Sequence, residues 1–209
     1  MINTYKIVRK VISKELAQFL YEYFLMKRQV TRRFFDVGYI SEWNPDWGVW
    51  NDPQAMDSYS HYSDIAMDTL LSKVHPILEK EIDTKLIPTY SYARIYKNGD
   101  VLERHTDRNS CEISCTMNLG GDRWSIYLEP NIEIKLEPSD MLVYKGCDIE
   151  HWREEFKGDN CCQVFLHYND VLSDASEKNK FDGRPFLGLP ASFKEETVSI
   201  IDAFKDKTV

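Results

Sequence analysis

A chain of 209 residues with 43% hydrophobic side chains is long enough to bury one sound core, and none of its apolar runs approaches the roughly 20 residues that cross a bilayer. A net charge of −8 argues against a nucleic-acid partner, because phosphate contact depends on clustered Lys and Arg. Five cysteines, an odd count without a Cys-x-x-Cys pair, argue against a disulfide framework and a structural zinc site.

The first residues show no long apolar core followed by a small-residue cleavage site, so no signal peptide is expected and the default location is the cytoplasm. Residues 13–29 read as a helix. Ser13 caps it, Glu15 suits the first turn, and Leu16, Phe19, Leu20, Tyr23 and Phe24 form an apolar stripe. Residues 36–62 carry Trp43, Trp47, Trp50, Tyr39, Tyr59 and Tyr62 without any period, broken by Gly and Pro. This is the pattern of an ordered loop over a pocket or of a loop that caps the core. His61 reads as a surface hydrogen-bonding group rather than a fourth metal ligand.

A second helix begins near Ser63, with Met67, Leu70, Leu71, Val74 and Leu78 at helical spacing. Pro76 should kink it or start a new segment. From Pro88 the period changes to two. A strand is expected at 90–96 and a turn at 97–100, followed by the strand that carries His105. Further strands are expected at 111–119, 123–129, 131–137, 141–145 and 161–168. Seven or so short strands after two helices describe an α+β, mainly β fold: a double-stranded β-helix, or jelly-roll barrel, with helices on one face. One domain is expected, with helical support over 1–87, the barrel core over 88–170, and an arm and helix over 171–209. In the last part Ser192 and Glu195 make a capping box ahead of Val198, Ile201 and Phe204.

The chemistry gathers around His105 and Asp107. A spacing of two puts both side chains on one face of a strand. An imidazole nitrogen and a carboxylate oxygen there make two-thirds of the two-His-one-carboxylate face that holds a non-haem ferrous ion. His151, in the stretch Glu137-Pro-Ser-Asp140 to Gly146 to His151, is the best third ligand. These donor types do not exclude zinc or manganese. A non-catalytic or differently metallated cupin-like barrel that binds a small ligand is therefore the alternative.

The order His-x-Asp, several strands, then Pro-x-Asp, an apolar run, Gly-x4-His resembles the 2-oxoglutarate/Fe(II) dioxygenases, and within them the prolyl-4-hydroxylase-like branch. The similarity runs from about Thr89 to Tyr168. It implies that His105, Asp107 and His151 hold Fe(II) and that 2-oxoglutarate and O2 take the open positions, with ascorbate an optional accessory. Succinate and CO2 would leave as a C–H bond is hydroxylated. The implied substrate is a prolyl or other side chain of a protein or peptide, or a small amino-acid-like molecule. Oligomeric state is left open.

In relatives of that branch a Lys or Arg at the start of the strand after the distal histidine holds the far carboxylate of 2-oxoglutarate. Here the stretch reads Asn160-Cys161-Cys162-Gln163, with no base. Arg94 is the substitute expected by parity, with Tyr96 on the same strand face and Gln163 as further donors. Arg153, two beyond His151, is the rival anchor or a contact for the prime substrate. Thr116 and Asn118 are candidates for the pocket floor. Trp124 and Trp152 are expected to pack the barrel, and Cys161 and Cys162 show no activating base.

Overall fold

Ser13 opens the first helix through its own hydroxyl. Its Oγ accepts the Leu16 N–H at 3.1 Å, ahead of helix α1, Lys14–Asp36. In a computed structural model that describes residues 4–193, ten strands and three short or long helices follow from such local choices. Ser13→Ala should cost about 1 kcal/mol, read as a lower urea midpoint at unchanged slope.

Helix α1 runs seven residues past the expected end, because no glycine or proline interrupts it before Gly38, whose φ is +66°. Its buried positions are Ala17, Leu20, Phe24 and Thr31. Phe19 is not among them; it is 63% exposed, one position off the stripe that meets the sheet. Helix α2, Ile65–Ile82, is capped by Asp64, which accepts from Ala66 and Met67 N–H. It continues through Pro76 without ending. The missing proline N–H is outweighed by burial of Met67, Leu70, Leu71, Val74, Leu78 and Ile82. Among the described residues no helix is long and apolar enough to cross a membrane.

The strands are β1 (Tyr5–Val8), β2 (Tyr59–Tyr62), β3 (Leu86–Lys97), β4 (Leu102–His105), β5 (Ile113–Gly121), β6 (Ile126–Leu128), β7 (Ile132–Ile134), β8 (Met141–Lys145), β9 (His151–Arg153) and β10 (Asn160–Asp170). They pair antiparallel in a six-stranded sheet of order β1-β8-β5-β10-β3-β2 and a four-stranded sheet of order β4-β9-β6-β7. This is a jelly roll. Strands β1 and β2 come from the stretch read as helical support and loop, so the first 87 residues supply sheet as well as helices. The strands expected at 123–129 and 131–137 shrink to three residues each.

Alternation along the long strands divides apolar from chemical residues. One face of the large sheet sends Cys115, Met117, Val143, Cys162, Val164 and Leu166 into a core with Phe24 of α1 and Leu71 of α2. The other face carries Arg94 and Tyr96 of β3, Thr116 of β5, and Gln163, Phe165 and His167 of β10. All five cysteines are free thiols. After β10 comes a short helix, α3 (Ser176–Asn179), and then an arm pinned by Arg184. That buried guanidinium donates to the carbonyls of Phe181, Leu189 and Thr89 and lies 3.6 Å from Asp68. The capping box and helix read beyond Phe193 lie outside the described residues.

Candidate metal centre

Two imidazoles meet because their strands pair. His105 ends β4, His151 begins β9, and the register sets them directly opposite, with ring centroids 4.3 Å apart. Asp107 arrives differently from the strand-parity expectation. Strand β4 stops at His105, and Asp107 lies in the turn beyond it, its N–H donating to the Gly146 carbonyl at 2.8 Å. The backbone bond between that turn and the end of β8, rather than a shared strand face, aims its carboxylate.

The result is one compact donor set. Asp107 Oδ1 is 3.8 Å from His105 Nε2 and 3.6 Å from His151 Nε2, and the three ligand atoms lie within 4.8 Å of one another. Donors bonded to one ion at about 2.1 Å stand about 3 Å apart when adjacent, so a small contraction completes the face. The remaining nitrogens fix the tautomers. His105 Nδ1 faces the Glu103 carbonyl at 2.7 Å and His151 Nδ1 faces the Ile149 carbonyl at 3.0 Å. A carbonyl only accepts, so each Nδ1 carries the proton and each Nε2 turns a lone pair to the centre.

Asp107 is supported from behind by Ser114, whose hydroxyl donates to Oδ2 at 2.6 Å. Burial alone would raise its carboxyl pKa, but in the acid range where His151 and His167 take up protons, His151 as donor, the two imidazolium charges and Ser114 outweigh that and hold it at about 2. Gly146 packs so closely here that a Cβ would run into the Asp107 carboxylate and the Ser114 hydroxyl. The glycine of the motif is therefore a clearance for the ligand. On the far side of Asp107 stand Cys111 and His167, a second group of possible donors. Burial pushes the His167 imidazole down to about 4 and the Cys111 thiol up to about 12. Both are neutral near pH 7.

These residues line a cavity of about 320 Å³ walled by Tyr90, Tyr92, Tyr96, Tyr144 and Phe165. The other sequence-predicted residues fall into two groups and one outlier. Arg94 donates to Ser60 Oγ at 2.9 Å, to Tyr96 Oη at 3.2 Å and to Asp52 Oδ2 at 2.5 Å, so a carboxylate of the protein already holds it. Arg153 gathers Gln163 and Thr116, whose Oε1 and Oγ1 lie 3.3 and 3.5 Å from Nη2. Its Nη1 donates to the Trp124 carbonyl at 2.7 Å, and its Nε is buried without a partner. Among the described residues no carboxylate pairs with it. Asn118 is the outlier. It donates to the Leu136 carbonyl and accepts from Gly120 N–H, which makes it a strand-end brace.

His61 is buried rather than on the surface, and binds Lys27 and Asp64 between the two long helices. Trp124 packs on Tyr96 and Phe156, while Trp152 stacks on Tyr127. The aperiodic loop does both of the jobs it suggested. Trp50 and Tyr59 seal the core around Phe24, and Asp52 and Gln54 enter the pocket. Those two residues escaped the sequence reading, since an irregular loop carries no period that would show which way its side chains point.

No protein-family model and no curated protein matches the sequence. Solved structures do match the fold. A Pseudomonas putida prolyl-4-hydroxylase superposes with a TM-score of 0.54 at 14% identity, over 80% of this chain and 92% of its own. The viral collagen prolyl hydroxylase of Paramecium Bursaria Chlorella virus-1, in its 2-oxoglutarate complex, gives 0.56 at 12%, over 81% and 97%. HygX from Streptomyces hygroscopicus, with nickel, 2-oxoglutarate and hygromycin B bound, gives 0.55 at 10%, over 81% and 84%. The chain has the 2-oxoglutarate/Fe(II) oxygenase fold. In this oxygenase fold the donor set of His105, Asp107 and His151 stands inside the barrel, where chemistry can be shielded from bulk water.

Proposed function

We propose that the protein is a 2-oxoglutarate- and Fe(II)-dependent dioxygenase that hydroxylates a C–H bond of a prolyl or other peptide side chain, or of a small amino-acid-like molecule. The single observation that carries this is the convergence of two imidazole Nε2 lone pairs and one carboxylate oxygen within 4.8 Å. His105, Asp107 and His151 would hold the iron. When bound, iron and 2-oxoglutarate supply the oxidation, with O2 consumed and succinate and CO2 released.

Arg153 does not line the cavity as it stands, whereas Arg94 does, but Arg153 is the arginine without a counter-ion and is the one assigned here to the far carboxylate. A fully buried guanidinium with neutral partners and an orphaned Nε is an uncompensated charge, and an anion is what such a site lacks. Burial presses its pKa below the usual arginine range, which states the same deficit. Gln163 and Thr116 would orient that carboxylate. Arg94, already neutralised by Asp52, would shape the mouth instead. A cavity of about 320 Å³ is at the small end for ligand sites. With co-substrate inside, it admits one side chain or a small molecule, in keeping with prolyl hydroxylases and HygX as fold neighbours.

Anaerobic addition of Fe(II) and 2-oxoglutarate should produce a weak visible charge-transfer band, and exposure to air should release succinate. A flat spectrum at full metal occupancy would instead support the cupin-like binding barrel.

A further inference from the structure

The loop over residues 51–57 sends two polar side chains into the pocket, and they are held very differently. Asp52 is locked. Its Oδ2 takes Arg94 Nη2 at 2.5 Å and the Tyr92 hydroxyl, and its Oδ1 takes the Gln54 N–H at 2.9 Å. Gln54 is exposed on the surface, yet both partners of its amide belong to the site. Oε1 lies 3.5 Å from Arg94 Nη2, and Nε2 lies 3.4 Å from His105 Nε2. That second separation is shorter than the 3.8 Å between His105 Nε2 and Asp107 Oδ1. The end of Gln54 is thus as near His105 Nε2 as a neighbouring ligand of the same ion would be.

The chemistry fits that position. His105 Nε2 carries no proton, so here the amide N–H donates to its lone pair. An ion bound by His105 takes that lone pair and leaves the N–H facing a cation. A half-turn of the amide exchanges nitrogen for oxygen at nearly the same place. An amide carbonyl oxygen is a good donor to divalent cations. The turn gives up a 3.5 Å contact with Arg94, beyond the ordinary hydrogen-bond range, and leaves the amide NH2 facing a guanidinium whose charge Asp52 already neutralises. Meanwhile the Asp52 lock keeps the loop, and with it the Gln54 backbone, in place.

We infer that Gln54 is a fourth, displaceable metal ligand: its Oε1 fills one of the open positions in the metal-loaded protein, and bidentate 2-oxoglutarate takes that position from it. This rests on the metal-centre reading above. It gives the loop a role in guarding the ion until co-substrate arrives.

Anaerobic titration of the full chain with Co(II) alone tests it by ligand-field spectrum and affinity. Gln54→Ala should weaken Co(II) binding by about 10-fold and alter the visible band pattern. Gln54→Glu, which offers a charged oxygen, should tighten binding. Saturating 2-oxoglutarate should make the wild-type and Gln54→Ala spectra coincide. The side chain is exposed, so melting curves of both variants should match wild type. Unchanged affinity and spectrum in Gln54→Ala, alongside lost binding in His105→Ala, would overturn the ligand role and leave the metal centre standing. Weaker binding with an unaltered spectrum would overturn it as well. Intact binding in His105→Ala would remove both readings.

Discussion

Replacing Asp107 with alanine should abolish stoichiometric binding of a divalent ion, with an affinity loss well beyond about 100-fold. Asp107 supplies the one anionic donor among the three residues, and its Oδ1 lies within 4 Å of both Nε2 atoms. Without it, two neutral imidazoles must hold the ion alone. Ser114→Ala should cost less, about 10-fold, because it removes only the hydroxyl that steers Oδ2. Calorimetric titration with Ni(II) separates the two. Equal losses would mean that Asp107 acts only through Ser114, and wild-type affinity in Asp107→Ala would dismiss the centre. Stability adds a sign-checked companion. The folded pKa of about 2 lies below the ordinary carboxylate value, so ionised Asp107 stabilises the metal-free fold above that ordinary value. This contribution fades as pH falls toward 2. The stability gap between wild type and Asp107→Ala should therefore narrow in acid.

The donor types of this centre were legible in the sequence because the chemistry restricts them: few side chains hold a ferrous ion, and His105, Asp107 and His151 stand in the expected order. The route by which they meet was not legible. Parity assumed that β4 continues to Asp107, whereas the strand ends at His105 and a hydrogen bond to Gly146, nearly forty residues later, does the aiming. The long strands β3 and β10 declared themselves by alternation over 90–96 and 161–168, and the structure extends them to twelve and eleven residues. Strands β1, β2 and β9 have only three or four residues each, too few for a period to show. They form because a partner strand is waiting, which is tertiary information. The same holds for arginines. Arg94 and Arg153 look equivalent along the chain, and only packing shows that Asp52 neutralises one and that no described carboxylate meets the other.

That difference makes the two arginines separable by experiment, and with opposite signs. Arg153→Met should leave the melting temperature without co-substrate nearly unchanged, because an apolar side chain of similar length replaces a buried charge that lacks a counter-ion. Its lost bonds to the Trp124 carbonyl and Gln163 offset part of that relief. The same variant should lose about 2–5 kcal/mol of 2-oxoglutarate binding, roughly 30-fold or more in affinity, since the carboxylate enters a pocket without its cation. Arg94→Met should behave in reverse. It strands the half-buried Asp52 carboxylate and so lowers the melting temperature, while 2-oxoglutarate affinity changes little. Thermal melts of the metal-loaded protein under anaerobic conditions report both quantities. At 2-oxoglutarate a hundredfold above the wild-type Kd, wild type and Arg94→Met should each gain about 2.7 kcal/mol, and Arg153→Met at most about a third of that. If the gain instead disappears with Arg94→Met and survives in Arg153→Met, Asp52 must leave Arg94 when co-substrate binds, and the anchor is the arginine that parity along β3 first suggested.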